Sequence, residues 1–178
     1  MKSRFSRAVG RILYAAASRL PRTYSKIKIG QRRLRAFCAK RILSHCGEEV
    51  NIDRKAWFAS DVSLGDCSSI GLRAYIEEGT YIGNFVMMGA DCAVFTRNHS
   101  YSRMDVPICV QGMEALEPVH IGDDVWIGAR VTILPGAVIG DGAVIGAGSV
   151  VHGKIPPFAV AAGNPCKVLR MRADQENS

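Results

Sequence analysis

Acidic residues are absent from the first 46 positions of this 178-residue chain, which carry thirteen Lys and Arg. The remaining positions hold ten basic residues against sixteen acidic ones, so the net +7 splits into +13 and −6. A uniformly basic nucleic-acid binder is therefore excluded, and no nucleic-acid partner is expected; the basic quarter needs its own explanation. Aromatics are scarce at 7%, while glycines number 18, which suits tight turns and small interior residues more than an aromatic core. No apolar run reaches the ~18–20 residues that a membrane span requires. The six cysteines contain no CxxC pair, and in a chain with 48% apolar residues they read as reduced thiols, which points to the cytoplasm. His45, His99, His120 and His152 include no closely spaced pair, and a catalytic zinc needs about three protein ligands, so no metal is expected.

What is present is a period of six. Ile52, Phe58, Leu64, Ile70, Ile76, Ile82, Met88 and Val94 keep it, and so do Ile121, Ile127, Ile133, Ile139, Ile145 and Val151. Small or β-branched residues follow four places later, among them Ala56, Val62, Ser68, Ala74, Val125, Val131 and Ala143. Six matches neither the 3.6 of a helix nor the 2 of a lone strand. It matches short strands that turn a corner every six residues, three to a triangular coil of about eighteen residues, stacked as a solenoid. Glycine stands directly after many of the aliphatics, at 65, 71, 83, 89, 122, 128, 140 and 146. Its expected job there is to supply the unusual dihedrals of the corner. Cys67 and Cys92, inside the repeat, read as small hydrophobic filler, and His120 as an outward face residue.

The register breaks once. Val94 and Ile121 are not separated by a multiple of six, and the stretch between them, "FTRNHSYSRMDVPICVQG", carries His99. The organisation predicted is a basic, partly helical extension over 1–48, a repeat domain over 49–172 with a protruding loop at 96–118, and a tail at 173–178. In the extension, Phe5, Val9, Ile12, Leu13, Ala16 and Leu20 form one helical stripe that Pro21 ends, flanked by Arg4, Arg7, Arg11 and Arg19. A second stripe runs through Leu34, Phe37, Cys38 and Ile42. The second is expected to cap the open end of the solenoid. Residues 1–20 have two readings, a cap or a peripheral contact with an anionic membrane surface.

The hexads, together with "VWIGARVTILPGAVIGDGAVIGAGSVV" and "GNPCKV", resemble the hexapeptide-repeat acyltransferases, in particular the maltose, galactoside and polysaccharide O-acetyltransferases. The resemblance spans roughly 50–172 and implies an all-β, left-handed parallel β-helix, a homotrimer, and acetyl-CoA as co-substrate in a groove between prisms. It implies that His99 is the general base for an acceptor hydroxyl, which suits an imidazole that titrates near neutrality. It further implies that Trp126 packs at the active site and that Glu77 or Glu78 faces the acceptor. Ala129 and Ala147 would line the pantetheine arm, with Lys167 and Arg170 near the phosphates of the coenzyme. His152 and Gly153 replace the Thr-Lys common in the family, with the lysine displaced to Lys154, which puts a phosphate contact at that corner in doubt while leaving backbone contacts open. The activity implied is O-acetylation of a sugar hydroxyl in surface polysaccharide assembly, at the inner face of the membrane. "NHSYSRMDVP" also resembles the xenobiotic acetyltransferases that inactivate antibiotics, although those carry a longer excursion there. A repeat of this kind also serves as a non-catalytic scaffold, since a fold alone does not establish activity.

Overall fold

The computed structural model describes residues 3–175, so Met1, Lys2 and the end of the 173–178 tail lie outside the described residues. Two- and three-residue strands stack in parallel on three faces of a left-handed β-helix. The first face holds His45–Cys46, Ser63–Leu64, Thr80–Ile82, Val119–Ile121, Val138–Ile139 and Lys154–Ile155. On the second lie Met87–Met88, Trp126–Ile127, Val144–Ile145 and Ala159–Ala162, with Lys167–Met171 folded back antiparallel at the end. Asn51–Ile52 and Ser69–Ile70 pair in parallel one coil below Met87–Met88, Ser69 donating its N–H to the Val86 carbonyl at 2.8 Å. The third face holds Trp57–Phe58, Tyr75–Ile76, Ala93–Val94, Thr132–Ile133 and Val150–Val151.

All fourteen large apolar positions of the repeat are buried, and so are the small residues four places on. A fully buried Ile contributes roughly 1.5–3 kcal/mol, so the stacked column supplies the main driving force. Equivalent positions of successive coils pair directly, as Leu64 with Ile82, and Ile82 in turn pairs with Ile121 on the far side of the loop. The loop therefore lengthens one coil without disturbing the stack on either side of it.

The repeat's glycines do a different job from the one expected. Gly65, Gly71, Gly89 and Gly128 do not have positive φ; the left-handed residue comes three places after the aliphatic, and at Lys55, Cys67, Arg73, Phe85 and Asp91 it is not glycine. What the position after the aliphatic requires is space. A Cβ on Gly71 would lie 1.8 Å from the Gly89 carbonyl oxygen of the next coil. Cys67 is likewise exposed at a corner rather than acting as filler, whereas Cys92 is buried and donates its thiol to the Gly128 carbonyl at 3.2 Å. At the corner between the first and second faces, Asp66, Asn84, Asp123 and Asp141 form a ladder. Each side chain accepts the backbone N–H of the same corner one coil earlier, at 2.7–2.9 Å.

Two helices close the amino-terminal end: α1, Arg4–Ala17, and α2, Gln31–Ile42. The helix α2 covers the first coils, as expected, with Cys38, Ala39 and Ile42 inside; Leu34 and Phe37 stay partly exposed. Arg35 is fully buried and donates to the carbonyls of Ile52 (2.7 Å) and Pro21 (3.0 Å) and to the Thr23 hydroxyl (3.0 Å), with the Asp53 carboxylate 3.7 Å away. α1 also joins the cap, but through the opposite side from its apolar stripe. It buries Gly10, Tyr14 and Ala17, and the Tyr14 hydroxyl donates to the Ala56 carbonyl at 2.8 Å.

Candidate active site

The loop leaves the edge between the third and first faces, directly after the buried Thr96. Its two limbs are zipped together. Glu117 donates its N–H to the Thr96 carbonyl (2.8 Å), Glu114 to that of Asn98 (2.9 Å) and Ser100 to that of Gly112 (3.1 Å). His99 sits inside this zipper, bridged to Met113, with its side chain exposed. At the tip the Gln111 side chain ties Arg103 to Val106. These bonds give a protruding segment without a core of its own a defined backbone path, and they fix where the His99 backbone stands.

At the base of the loop lies a notch of about 290 Å³ lined by Trp57, Tyr75, Glu77, Glu78, Thr96 and Met113, the last bridged to His99. The Glu77 carboxylate accepts the Thr96 N–H at 2.9 Å, and Glu78 pairs with Arg97 at 2.8 Å, so both carboxylates anchor the base of the loop. Trp57 and Tyr75 are stacked, ring centroids 4.6 Å apart, with Phe95 against the far side of Tyr75 at 5.9 Å. Partial burial, reinforced by the nearby Glu77 carboxylate, pushes the Tyr75 phenol up, so it stays a neutral hydrogen-bonding group. None of Trp57, Tyr75, Thr96, Arg97 and Met113 was singled out in the sequence. The available signal was an aromatic at the same outward position of two successive coils, Trp57 and Tyr75, which pair in register.

The remaining candidates divide into two sets. His152 and Gly153 are exposed on the same edge as Glu77, Glu78 and the loop base, and the Gly153 carbonyl accepts the Val138 N–H at 2.9 Å. Trp126, by contrast, stands half-exposed on the second face, in a row with Val144, Val160 and Arg170. Ala129 and Ala147 occupy the edge between the second and third faces, where a Cβ on Gly128 would come within 2.5 Å of the Ala147 nitrogen. That edge has no counterpart of the Asp–Asn ladder, and among the described residues no acceptor meets the N–H of Ala129 or Ala147. Lys167 is exposed and Arg170 half-buried at the end of the second face, neither with a carboxylate partner among the described residues. One chain thus places the imidazole and the acidic notch on one edge, and the open amides on another, with the cations at the end of the adjoining second face.

Residues 118–153 match the family model described as "Bacterial transferase hexapeptide (six repeats)". "Putative acetyltransferase YJL218W" of Saccharomyces cerevisiae is 33% identical over 143 residues, covering 78% of this chain and 71% of the yeast protein. The chain belongs to the hexapeptide-repeat acetyltransferases. "Probable acetyltransferase Rv3034c" of Mycobacterium tuberculosis is 38% identical over 115 residues, although the match spans only 37% of that protein. Among solved structures, a galactoside acetyltransferase in complex with coenzyme A superposes with a TM-score of 0.64 at 26% identity, covering 97% of this acetyltransferase and 83% of the other chain. Burial pushes the Cys38, Cys92 and Cys166 thiols up, which disfavours the thiolate that a covalent cysteine mechanism needs.

Proposed function

We propose that this acetyltransferase transfers the acetyl group of acetyl-CoA to a sugar hydroxyl during surface polysaccharide assembly. The observation that carries the reading is the exposed His99 on a zipped loop, bridged to Met113, which lines a notch offering an aromatic stack and two carboxylates. In this reading the His99 imidazole takes the proton of the acceptor hydroxyl as its oxygen attacks the thioester carbonyl. The new C–O bond forms, the C–S bond breaks, and the proton passes from the imidazolium to the departing sulfur. No enzyme nucleophile is needed, and a backbone N–H of the wall serves the developing oxyanion. The Trp57–Tyr75 stack suits the apolar face of a sugar ring, and Glu77 and Glu78 suit its hydroxyls.

Coenzyme A fits the second edge: the open N–H groups of Ala129 and Ala147 suit the amides of the pantetheine arm, Trp126 its flank, and Lys167 and Arg170 the phosphates. His152 and Gly153 add contacts from the first edge. Two edges separated by a whole face meet only when copies of the chain lie side by side, which supports a homotrimer with the site between subunits. Light scattering then gives three times the 19.3 kDa chain mass. The reading places the enzyme in the cytoplasm, in peripheral contact with the inner membrane through residues 1–20.

The deciding experiment measures thiol release from acetyl-CoA with sugars, amino sugars, antibiotics and no acceptor. His99→Ala should lose roughly 10²–10⁴-fold in kcat with an unchanged circular dichroism spectrum, the range expected for general-base work. A loss of only a few-fold would remove His99 from that role, and turnover with antibiotics alone would replace the sugar acceptor.

A further inference from the structure

The amino-terminal cap buries the wrong side of α1 for a helix whose only task is capping. Gly10, Tyr14 and Ala17 face inward, and a Cβ on Gly10 would come within 2.9 Å of Arg41 on α2. Most of the apolar stripe is left outside: Phe5 is 79% exposed and Ile12 72%, with Leu13 and Ala16 also exposed, while Val9 and Leu20 are half-buried. The connection to α2 exposes apolar side chains as well, since Ile27 and Ile29 are 61% and 59% exposed and alternate with Lys26 and Lys28. Exposed apolar side chains in this number call for a covering surface.

The charge around them states what kind. No acidic residue occurs before Glu48, and beside the carboxyl end of α1 a cleft of about 550 Å³ is lined by Arg19, Arg22 and Arg54 with Pro21, Tyr24 and Ser25. Arg22 shares the Asp53 carboxylate, 3.7 Å away, with the buried Arg35. The Arg54 Nε is buried and has no hydrogen-bond partner among the described residues. An anion in the cleft would meet the guanidinium groups of Arg19 and Arg54, which have no carboxylate partner among the described residues, beside Arg22, which has only a share in Asp53.

We propose that this end of the solenoid docks on an anionic phospholipid bilayer, with the Phe5–Ile12 stripe and the Ile27–Ile29 connection entering the headgroup boundary and the Arg19–Arg22–Arg54 cleft taking a lipid phosphate. This rests on the membrane contact in the functional reading above and extends it to a defined face, a second segment and a phosphate site. Amphipathic surfaces of this composition lie in the plane of the interface, held by apolar insertion and by attraction to anionic lipid.

The test is co-sedimentation of the full chain with phosphatidylcholine vesicles and with vesicles containing phosphatidylglycerol, alongside the vesicle-free acetyl transfer assay. Binding is expected to the anionic vesicles only, to fall at least tenfold in Phe5→Asp/Ile12→Asp, and to fall in Arg19→Gln/Arg54→Gln. Both variants should keep the wild-type circular dichroism and vesicle-free turnover, so a missing acetyl transfer activity and a missing membrane contact are separate results. Equal recovery with and without anionic vesicles overturns the proposal. So does a drop in mass by light scattering in Phe5→Asp/Ile12→Asp, which would make the stripe an interface between copies. Tight binding of duplex DNA that Arg19→Gln/Arg54→Gln abolishes, with vesicle binding unchanged, overturns it as well.

Discussion

Gly71 and Gly148 look alike in the sequence and answer to different physics. At Gly71 the next coil passes so close that a Cβ would lie 1.8 Å from a backbone oxygen. At Gly148 nothing lies within 4 Å, and the only demand is a φ of +73°. Gly71→Ala must push two coils apart, at a cost of about 3 kcal/mol or more. Gly148→Ala pays only the left-handed backbone strain, about 1–2 kcal/mol. Guanidinium unfolding midpoints of the two variants check the order, and equal losses would contradict the close-stacking account. The sequence showed that glycine belongs after the aliphatic but not why, because a period reports a position in the coil and not the distance to the coil above. Lys55, Arg73 and Phe85 make the same point, since they adopt φ of 54–58° at a corner that tolerates side chains pointing outward.

At the scale of elements, the strands were legible and the helices were not fully so. Each hexad reports its own inward position, since Ile127 or Ile133 has only one way to face a column. A lone amphipathic helix has no such constraint, and α1 packs through Tyr14, which the apolar stripe did not include. Its ring meets Phe58 edge-on with centroids 5.1 Å apart, and its hydroxyl satisfies the Ala56 carbonyl. Burial pushes the Tyr14 phenol well above its ordinary 10.0. A raised value means that the fold favours the neutral form, so this contribution is complete below pH 10 and is lost as pH rises above it. Thermal melts from neutral pH upward should show a decline beginning near pH 10. Tyr14→Phe should cost about 1 kcal/mol at neutral pH through the lost hydrogen bond and flatten that decline. An unchanged alkaline slope in the variant would assign it elsewhere. At the candidate site, the break in register and the family resemblance pointed to His99 and both glutamates. The Trp57–Tyr75 stack was not, because outward residues carry no period of their own.

For the whole molecule, the strand register is the same on either side of the loop, so the scaffold is expected to stand without it. Removing positions 97–117 takes out the excess and returns the Ile82–Ile121 pairing to the spacing that Leu64 and Ile82 keep. The shortened chain should melt within a few degrees of the full one while losing acetyl transfer to below the His99→Ala level. Collapse of the fold instead would make the loop part of the structure and not only of the site. Each coil contacts only its neighbours, which is the condition under which such an excision is tolerated.

The even spacing of the coils also makes the column a ruler. Strands on one face are about 4.8 Å apart, and the loop departs two strands above Trp57–Phe58, so the imidazole's root stands roughly 10 Å from the lowest strand of that face, nearest the helical cap. That height changes only in whole steps, by gaining or losing one coil at a time, and it is graduated from the end where α1 and α2 lie. Reach is thus written into chain length.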